Sequence, residues 1–284
     1  MTKLLLVLTG GLLLALAFIG YRNRHRFRYR PSTLSVDAYR RLAEGSSFRT
    51  DEAQAAPGVT LRGLVRRPED PHAPWLFLLP GNGSELLSGG RALLQRLAAG
   101  HDCGLAVWAY RGFDGSTGTP DAVALRADSD LLWQRLQDEF GAVPERLHIV
   151  AFSLGTELAL RLAAHLQARG TPPASLVLLS PYDRILVTAD AWWAPWSFAD
   201  EYDTTAFAQA TRVDTMLVHG TEDDAVPIEA GRRLARTLGP RAALLELDGR
   251  GHADWLADDA VLAKVRSFLD AHWNDASPPP TDRR

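Results

Sequence analysis

From residue 61 onward the chain alternates between short apolar runs and longer segments whose apolar residues recur every three or four positions. The runs at 61–65, 75–79, 105–108, 147–151, 176–179, 215–219 and 243–247 are short and rich in Leu, Val and Ile. Several are almost unbroken, as expected of strands covered on both faces. Between them, helical spacing predicts helices over 85–98, 122–140, 154–167, 228–238 and 261–273. In the second of these, Val123, Leu131, Leu132, Leu136 and Phe140 mark the apolar face, and Ser84 is the expected N-cap of the first. Strands alternating with helices predict βαβ units and a mostly parallel central sheet flanked by helices.

The two ends depart from this rhythm. Residues 4–20 carry no charge, and as a helix they would span about 25 Å of a hydrocarbon core roughly 30 Å thick. Residues 1–21 are therefore expected to form one N-terminal transmembrane anchor; a signal peptide cleaved near Ala15-Leu16-Ala17 and a buried or amphipathic helix are the alternatives. Arg22, Arg24, Arg26, Arg28 and Arg30 follow directly, which favours a cytoplasmic domain on a membrane-bound chain; Lys3 on the other flank opposes that orientation. Residues 22–58 mix basic, polar and short apolar stretches and are expected to be a juxtamembrane connector. The main domain is expected over 59–273 with a short aromatic insertion at 181–214, and the tail 274–284, with Pro278, Pro279 and Pro280, is expected to be disordered.

Composition narrows the function. With 31 Lys and Arg against 34 Asp and Glu, and a basic excess confined to the first thirty residues, nothing favours a nucleic-acid partner. Cys103 is the only cysteine, which excludes an intramolecular disulfide and a thiolate metal cluster. No His-Glu-x-x-His pair or phosphate-binding glycine loop is present, so no metal and no cofactor are expected. The pattern says nothing of oligomeric state.

Candidate chemistry gathers at strand ends. In Ile149-Val150-Ala151-Phe152-Ser153-Leu154-Gly155 an apolar strand turns abruptly into a helix at a serine, and the positions two before and two after it are small. Such a turn strains the serine and lifts its hydroxyl clear of the sheet, provided strand and helix pass closely. A hydroxyl is a poor nucleophile near neutral pH and needs a base, oriented in turn by an acid. His252, in the loop Gly249-Arg250-Gly251-His252, stands in the right chain order for the base. The acid is one of Glu222, Asp223 and Asp224, which follow an apolar strand and precede a helix. His219, at that strand's end, is expected to pack. The Leu154 N–H and an N–H from Pro80-Gly81-Asn82-Gly83, with Asn82 preferred, are the candidate donors for an oxyanion hole.

Five motifs in order resemble the Bem46-like branch of the α/β-hydrolase superfamily over roughly residues 61–273. They are Pro80-Gly81-Asn82-Gly83, the stretch from Tyr110-Arg111-Gly112 to Thr119-Pro120, Ala151-Phe152-Ser153-Leu154-Gly155, His219-Gly220 through Val226-Pro227, and Gly251-His252. The resemblance implies the α/β-hydrolase fold and a triad of Ser153, Asp223 and His252; it selects Asp223 among the three acids. It also implies that Tyr110, Arg111 and Gly112 are architectural. Pro80 stands where relatives carry His, Asp114 where they carry Gly, and Ala151 where Gly is usual.

The insertion brings Trp192, Trp193, Trp196, Phe198 and Tyr202, which either wall an apolar pocket or pack on the body. A serine hydrolase acting on a small-molecule acyl substrate, an ester or thioester with a lipid-like group, is the leading expectation. A serine peptidase on the same fold and a catalytically silent binding protein are the alternatives.

Overall fold

The computed structural model describes residues 29, 32–83, 85–184 and 202–273. The expected anchor, the tail and most of the aromatic insertion lie outside the described residues. Among those described, no helix is long and apolar enough to cross a membrane.

Chain order begins with α1 (Val36–Arg41), β1 (Arg49–Ala56), β2 (Val59–Arg66), β3 (Trp75–Leu79), α2 (Leu86–Leu97), β4 (Gly104–Trp108) and α3 (Ala122–Phe140). It continues with β5 (Leu147–Phe152), α4 (Gly155–Ala168), β6 (Ser175–Leu179), α5 (Thr205–Ala210), β7 (Thr215–Gly220), α6 (Ile228–Leu238), β8 (Ala242–Leu247) and α7 (Asp259–Trp273). The eight described strands form one sheet in the order β1-β2-β4-β3-β5-β6-β7-β8. Its first two pairings, β1 with β2 and β2 with β4, are antiparallel. From β4 to β8 every pairing is parallel. Helix α2 packs with α7, and α3, α4, α5 and α6 pack in succession.

The central strands β3, β4 and β6 are buried at every position, which is why they stand out in the sequence as apolar runs. Strand β1 was hidden in the expected connector because it is an edge strand in which only Ala53 is buried. Its register with β2 is regular except for a bulge near Gln54 and Ala56. Helix α1, capped by the Ser35 hydroxyl, belongs to the same former connector and is pinned by Tyr39, whose hydroxyl lies 2.8 Å from the Asp51 carbonyl and 3.0 Å from that of Gly63.

Two local expectations need correction. Val123 is 73% exposed, and the buried face of α3 runs instead through Ala122, Leu125, Leu132, Trp133 and Leu136, placing Arg111 against Asp128 on that face. At the start of α2, Glu85 occupies the N-cap position without making a side-chain cap. The cap comes from another loop: the Asp114 carboxylate accepts the Leu87 N–H at 2.8 Å and is in turn held by the Ser32 hydroxyl. Asp114 has φ 40°, the left-handed conformation expected where relatives carry glycine, and its carboxylate ties the loop after β4 to α2.

Candidate active site

Strand β5 ends at Phe152, and α4 starts at Gly155. Ser153 between them has φ 47°, a conformation costly for any residue with a Cβ, and it is held there by its own N–H to the Leu179 carbonyl (2.9 Å) and by Thr156 N–H to the Ser153 carbonyl (3.0 Å). The turn depends on Gly155, because a Cβ there would stand 2.1 Å from the Leu79 carbonyl oxygen. Ala151 is fully buried at the preceding small position.

Asp223 and His252 arrive on the loops after β7 and β8. The two loops are laced together: Thr221 N–H donates to the Leu247 carbonyl, Glu222 N–H to that of Arg250, and Gly249 N–H to the Thr221 hydroxyl, each at 2.9 Å. The close approach needs Gly220, where a Cβ would meet the Arg250 carbonyl oxygen at 2.1 Å. The result brings Asp223 Oδ2 to 2.7 Å from His252 Nδ1. A carboxylate only accepts, so Nδ1 carries the proton and Nε2 keeps its lone pair free. Glu222 and Asp224 make no such contact with His252; Asp223 Oδ1 also accepts the N–H groups of Ala225 (3.0 Å) and Val226 (2.7 Å).

Burial alone would push the Asp223 carboxyl up. Hydrogen bonds from His219, His252 and the Val226 N–H outweigh that and hold it well below the usual carboxylate range. His219 is therefore more than a packing residue. Fully buried, its Nε2 lies 2.8 Å from the Val226 carbonyl and 3.3 Å from Asp223 Oδ2, so the carboxylate sits between two imidazoles.

Ser153 and His252 reach the same rim, where the Phe152 ring lies 5.1 Å from the His252 ring. No hydrogen bond joins the Ser153 hydroxyl to His252 in this resting geometry, a common state of such pairs before substrate binds. The His252 carbonyl is fixed by two residues that sequence reasoning passed over. The Ser180 hydroxyl donates to it at 2.6 Å, and the Trp255 indole N–H lies 3.1 Å from both that carbonyl and the Ser180 oxygen. Ser180 also has φ 47°, at the end of the strand next to the nucleophile's. A serine ending an apolar strand immediately before Pro181 was the available signal.

Leu154, the residue after Ser153, is buried at the N-cap of α4, and Asn82 lies in the loop between β3 and α2. Two buried tyrosines brace these segments: the Tyr110 hydroxyl donates to the Pro80 carbonyl at 2.6 Å, and that of Tyr182 to the Leu154 carbonyl at 3.3 Å. Burial raises the pKa of both phenols, which keeps them protonated donors. Tyr110 thereby links its motif to the loop of Asn82, while Arg111 pairs with Asp128 away from the reacting groups. Cys103 is buried, its thiol pushed up to about 11, and takes no part. Among the described residues no group of three or more His, Cys, Asp or Glu is placed to hold a metal ion.

Comparison with known proteins gives three findings. A family model described as TAP-like protein, of the α/β-hydrolase group, matches residues 182–278. Among curated proteins, the chain is 28% identical over 178 residues to the lysophosphatidylserine lipase ABHD12 of Danio rerio, covering 57% of this chain and 46% of that protein. It is 26% identical over 176 residues to α/β-hydrolase domain-containing protein 17B of Xenopus laevis, covering 59% and 57%. The chain thus spans about half the length of these relatives. Among solved structures, the Pyrococcus furiosus esterase Pf2001 aligns with a TM-score of 0.67 at 15% identity, covering 87% of this chain and 98% of that one. Est1E of Butyrivibrio proteoclasticus, solved with ferulic acid, aligns with a TM-score of 0.62 at 16% identity, covering 78% and 98%. These last two are likenesses of fold.

Proposed function

Since the chain belongs to the α/β-hydrolase superfamily, we propose that it is a serine hydrolase that cleaves an ester or thioester through Ser153, Asp223 and His252. The observation that carries the reading is the 2.7 Å contact between Asp223 and the Nδ1 of His252, beside a serine held at φ 47° on the same rim of the sheet. On this reading His252 Nε2 takes the Ser153 proton as the oxygen attacks the acyl carbonyl. The Leu154 and Asn82 N–H groups stabilise the oxyanion. His252 then returns the proton to the leaving alcohol or thiol, and a water molecule activated by the same imidazole releases the acid from Ser153. Asp223 stays ionised throughout, fixing the ring and stabilising the imidazolium.

The five motifs support a place in the Bem46-like branch. The esterases and the lipase among the proteins it resembles favour ester chemistry. The uncharged run at 4–20, followed by five arginines, supports a membrane anchor with the domain on the cytoplasmic side. Protease protection in sealed vesicles tests that orientation.

The test of the chemistry is labelling by a fluorophosphonate, which phosphonylates an activated serine. The wild-type chain is expected to label and Ser153→Ala to lose the label. A wild-type chain that neither labels nor hydrolyses any ester would favour a silent binding protein.

A further inference from the structure

A cavity of about 150 Å³ opens beside the candidate triad, between the loop after β3, helix α2 and the segment that follows His252. Its walls are almost wholly apolar: Leu86, Gly89 and Leu93 from one stripe of α2, Gly81 from the loop of Asn82, Phe152 from the elbow, and Trp255 from the base loop. Three of these walls adjoin a candidate working residue. Phe152 precedes Ser153, Gly81 precedes Asn82, and the Trp255 indole donates to the His252 carbonyl.

Resting on the proposed acyl-transfer chemistry of the triad, we propose that this cavity is the acyl site and that it takes a short, uncharged acyl group or a single aryl ring. Direction follows from the oxyanion loop. A carbonyl oxygen bound at Leu154 and Asn82 lies against the segment whose other residues, Gly81 and Gly83, form the cavity wall, so a group on the carbonyl carbon enters the cavity, and an ester series that varies the acyl chain against a fixed p-nitrophenyl group tests that it is the acyl group. Size follows from the volume. An apolar cavity of 150 Å³ is what a benzene ring occupies, which corresponds to about six carbons. Among the described residues, the one charged side chain on the lining is the exposed Glu85, which disfavours acyl groups ending in a carboxylate.

Gly89 lies exposed at the edge of the cavity. A Cβ at this position meets nothing within 4 Å, whereas at the neighbouring Gly90 it would press on Val107 at 2.9 Å and Leu78 at 3.0 Å. The helix is seated on the sheet at Gly90 and held open at Gly89. A leucine at 89 therefore fits without displacing the backbone and covers part of the cavity's opening from the α2 side.

The experiment uses p-nitrophenyl esters from acetate to dodecanoate, and benzoate, with the full chain and with Gly89→Leu. In the wild type kcat/KM is expected to rise about fourfold per added methylene up to about six carbons and then level or fall. Gly89→Leu is expected to lose most of the wild-type gain of hexanoate and benzoate over acetate, read as the ratio of their kcat/KM values. A rise that continues to dodecanoate, or a variant with an unchanged acetate-to-hexanoate ratio, overturns the proposal. A wild type inactive on every ester instead counts against the hydrolase reading. In that event saturation-transfer NMR with hexanamide decides the cavity alone: a methyl signal in wild type that disappears in Gly89→Leu supports it, and no signal in wild type refutes it.

Discussion

Replacing Asp223 with Asn removes one charge and almost no volume, and the surrounding contacts determine how the site responds. The side-chain oxygen that keeps the place of Oδ1 retains the N–H groups of Ala225 and Val226. The new amide nitrogen takes the place of Oδ2, facing His252 Nδ1 at 2.7 Å and His219 Nε2 at 3.3 Å. His219 keeps its other acceptor, the Val226 carbonyl at 2.8 Å. His252 Nδ1 has no such alternative: it must now accept, which moves its proton to Nε2 and leaves the ring unable to take one from Ser153. A triad with its histidine in the wrong tautomer loses about 10⁴ in kcat, or about 5.5 kcal/mol of transition-state stabilisation. Exchanging two charge-assisted hydrogen bonds for neutral ones costs folding stability on the order of 1–3 kcal/mol, which leaves a folded chain at 25 °C. Ester hydrolysis and fluorophosphonate labelling rates, with thermal unfolding as a control, measure both quantities. A variant that is folded and within tenfold of wild-type activity would refute the assignment of Asp223 as the orienting acid.

The same carboxylate governs two pH dependences. The pH profile of kcat/KM should show no carboxylate step between about pH 4 and 6, because Asp223 is held ionised well below that range; a pH series reads this directly. The sign for stability is fixed by the depressed value: the contribution of Asp223 is fully present above about pH 4, where the unfolded carboxyl is ionised, and is lost as pH falls below it, which urea unfolding at pH 3 and pH 6 would detect. His219→Phe should destabilise the chain by about 1–3 kcal/mol by leaving the partly buried Val226 carbonyl without its donor, and lower kcat more than it raises KM. His219→Gln, which returns a donor near the former Nε2, should recover most of both; equal losses in the two variants would mean that the ring's bulk matters and its N–H does not.

The fold was legible wherever burial is symmetrical. Strands β3 to β7, covered on both faces, are apolar runs in the sequence, and α6 matches its expected span because its apolar stripe is well separated from its polar face. The elements that escaped lie at the margins. Strand β1 exposes nearly all of its residues, so its sequence carries no apolar run, and α1 is too short to show a period. Val123 fits the apolar spacing of α3, yet a stripe drawn through it ignores that Asp128 and Ser129 occupy the buried face to meet Arg111 and the Arg126 carbonyl. At the site, chain order was enough to nominate Ser153 and His252, and a family pattern was needed to prefer Asp223. The roles of His219, Ser180, Trp255 and Tyr182 are relations between distant segments, which no local pattern encodes. Asp114 belongs with them: a capping residue 27 positions from the N–H it caps has no signature in the helix's own sequence.

The lacing of the loops after β7 and β8 gives the site a simple mechanical character. Because Thr221, Glu222 and Gly249 join those two loops to each other, acid and imidazole are held together, while the nucleophile stands on the turn between β5 and α4. Readiness for reaction then reduces to one coordinate, the gap between two preassembled halves. Ser180 and Trp255, which clasp the His252 carbonyl, sit at the joint where that gap is set.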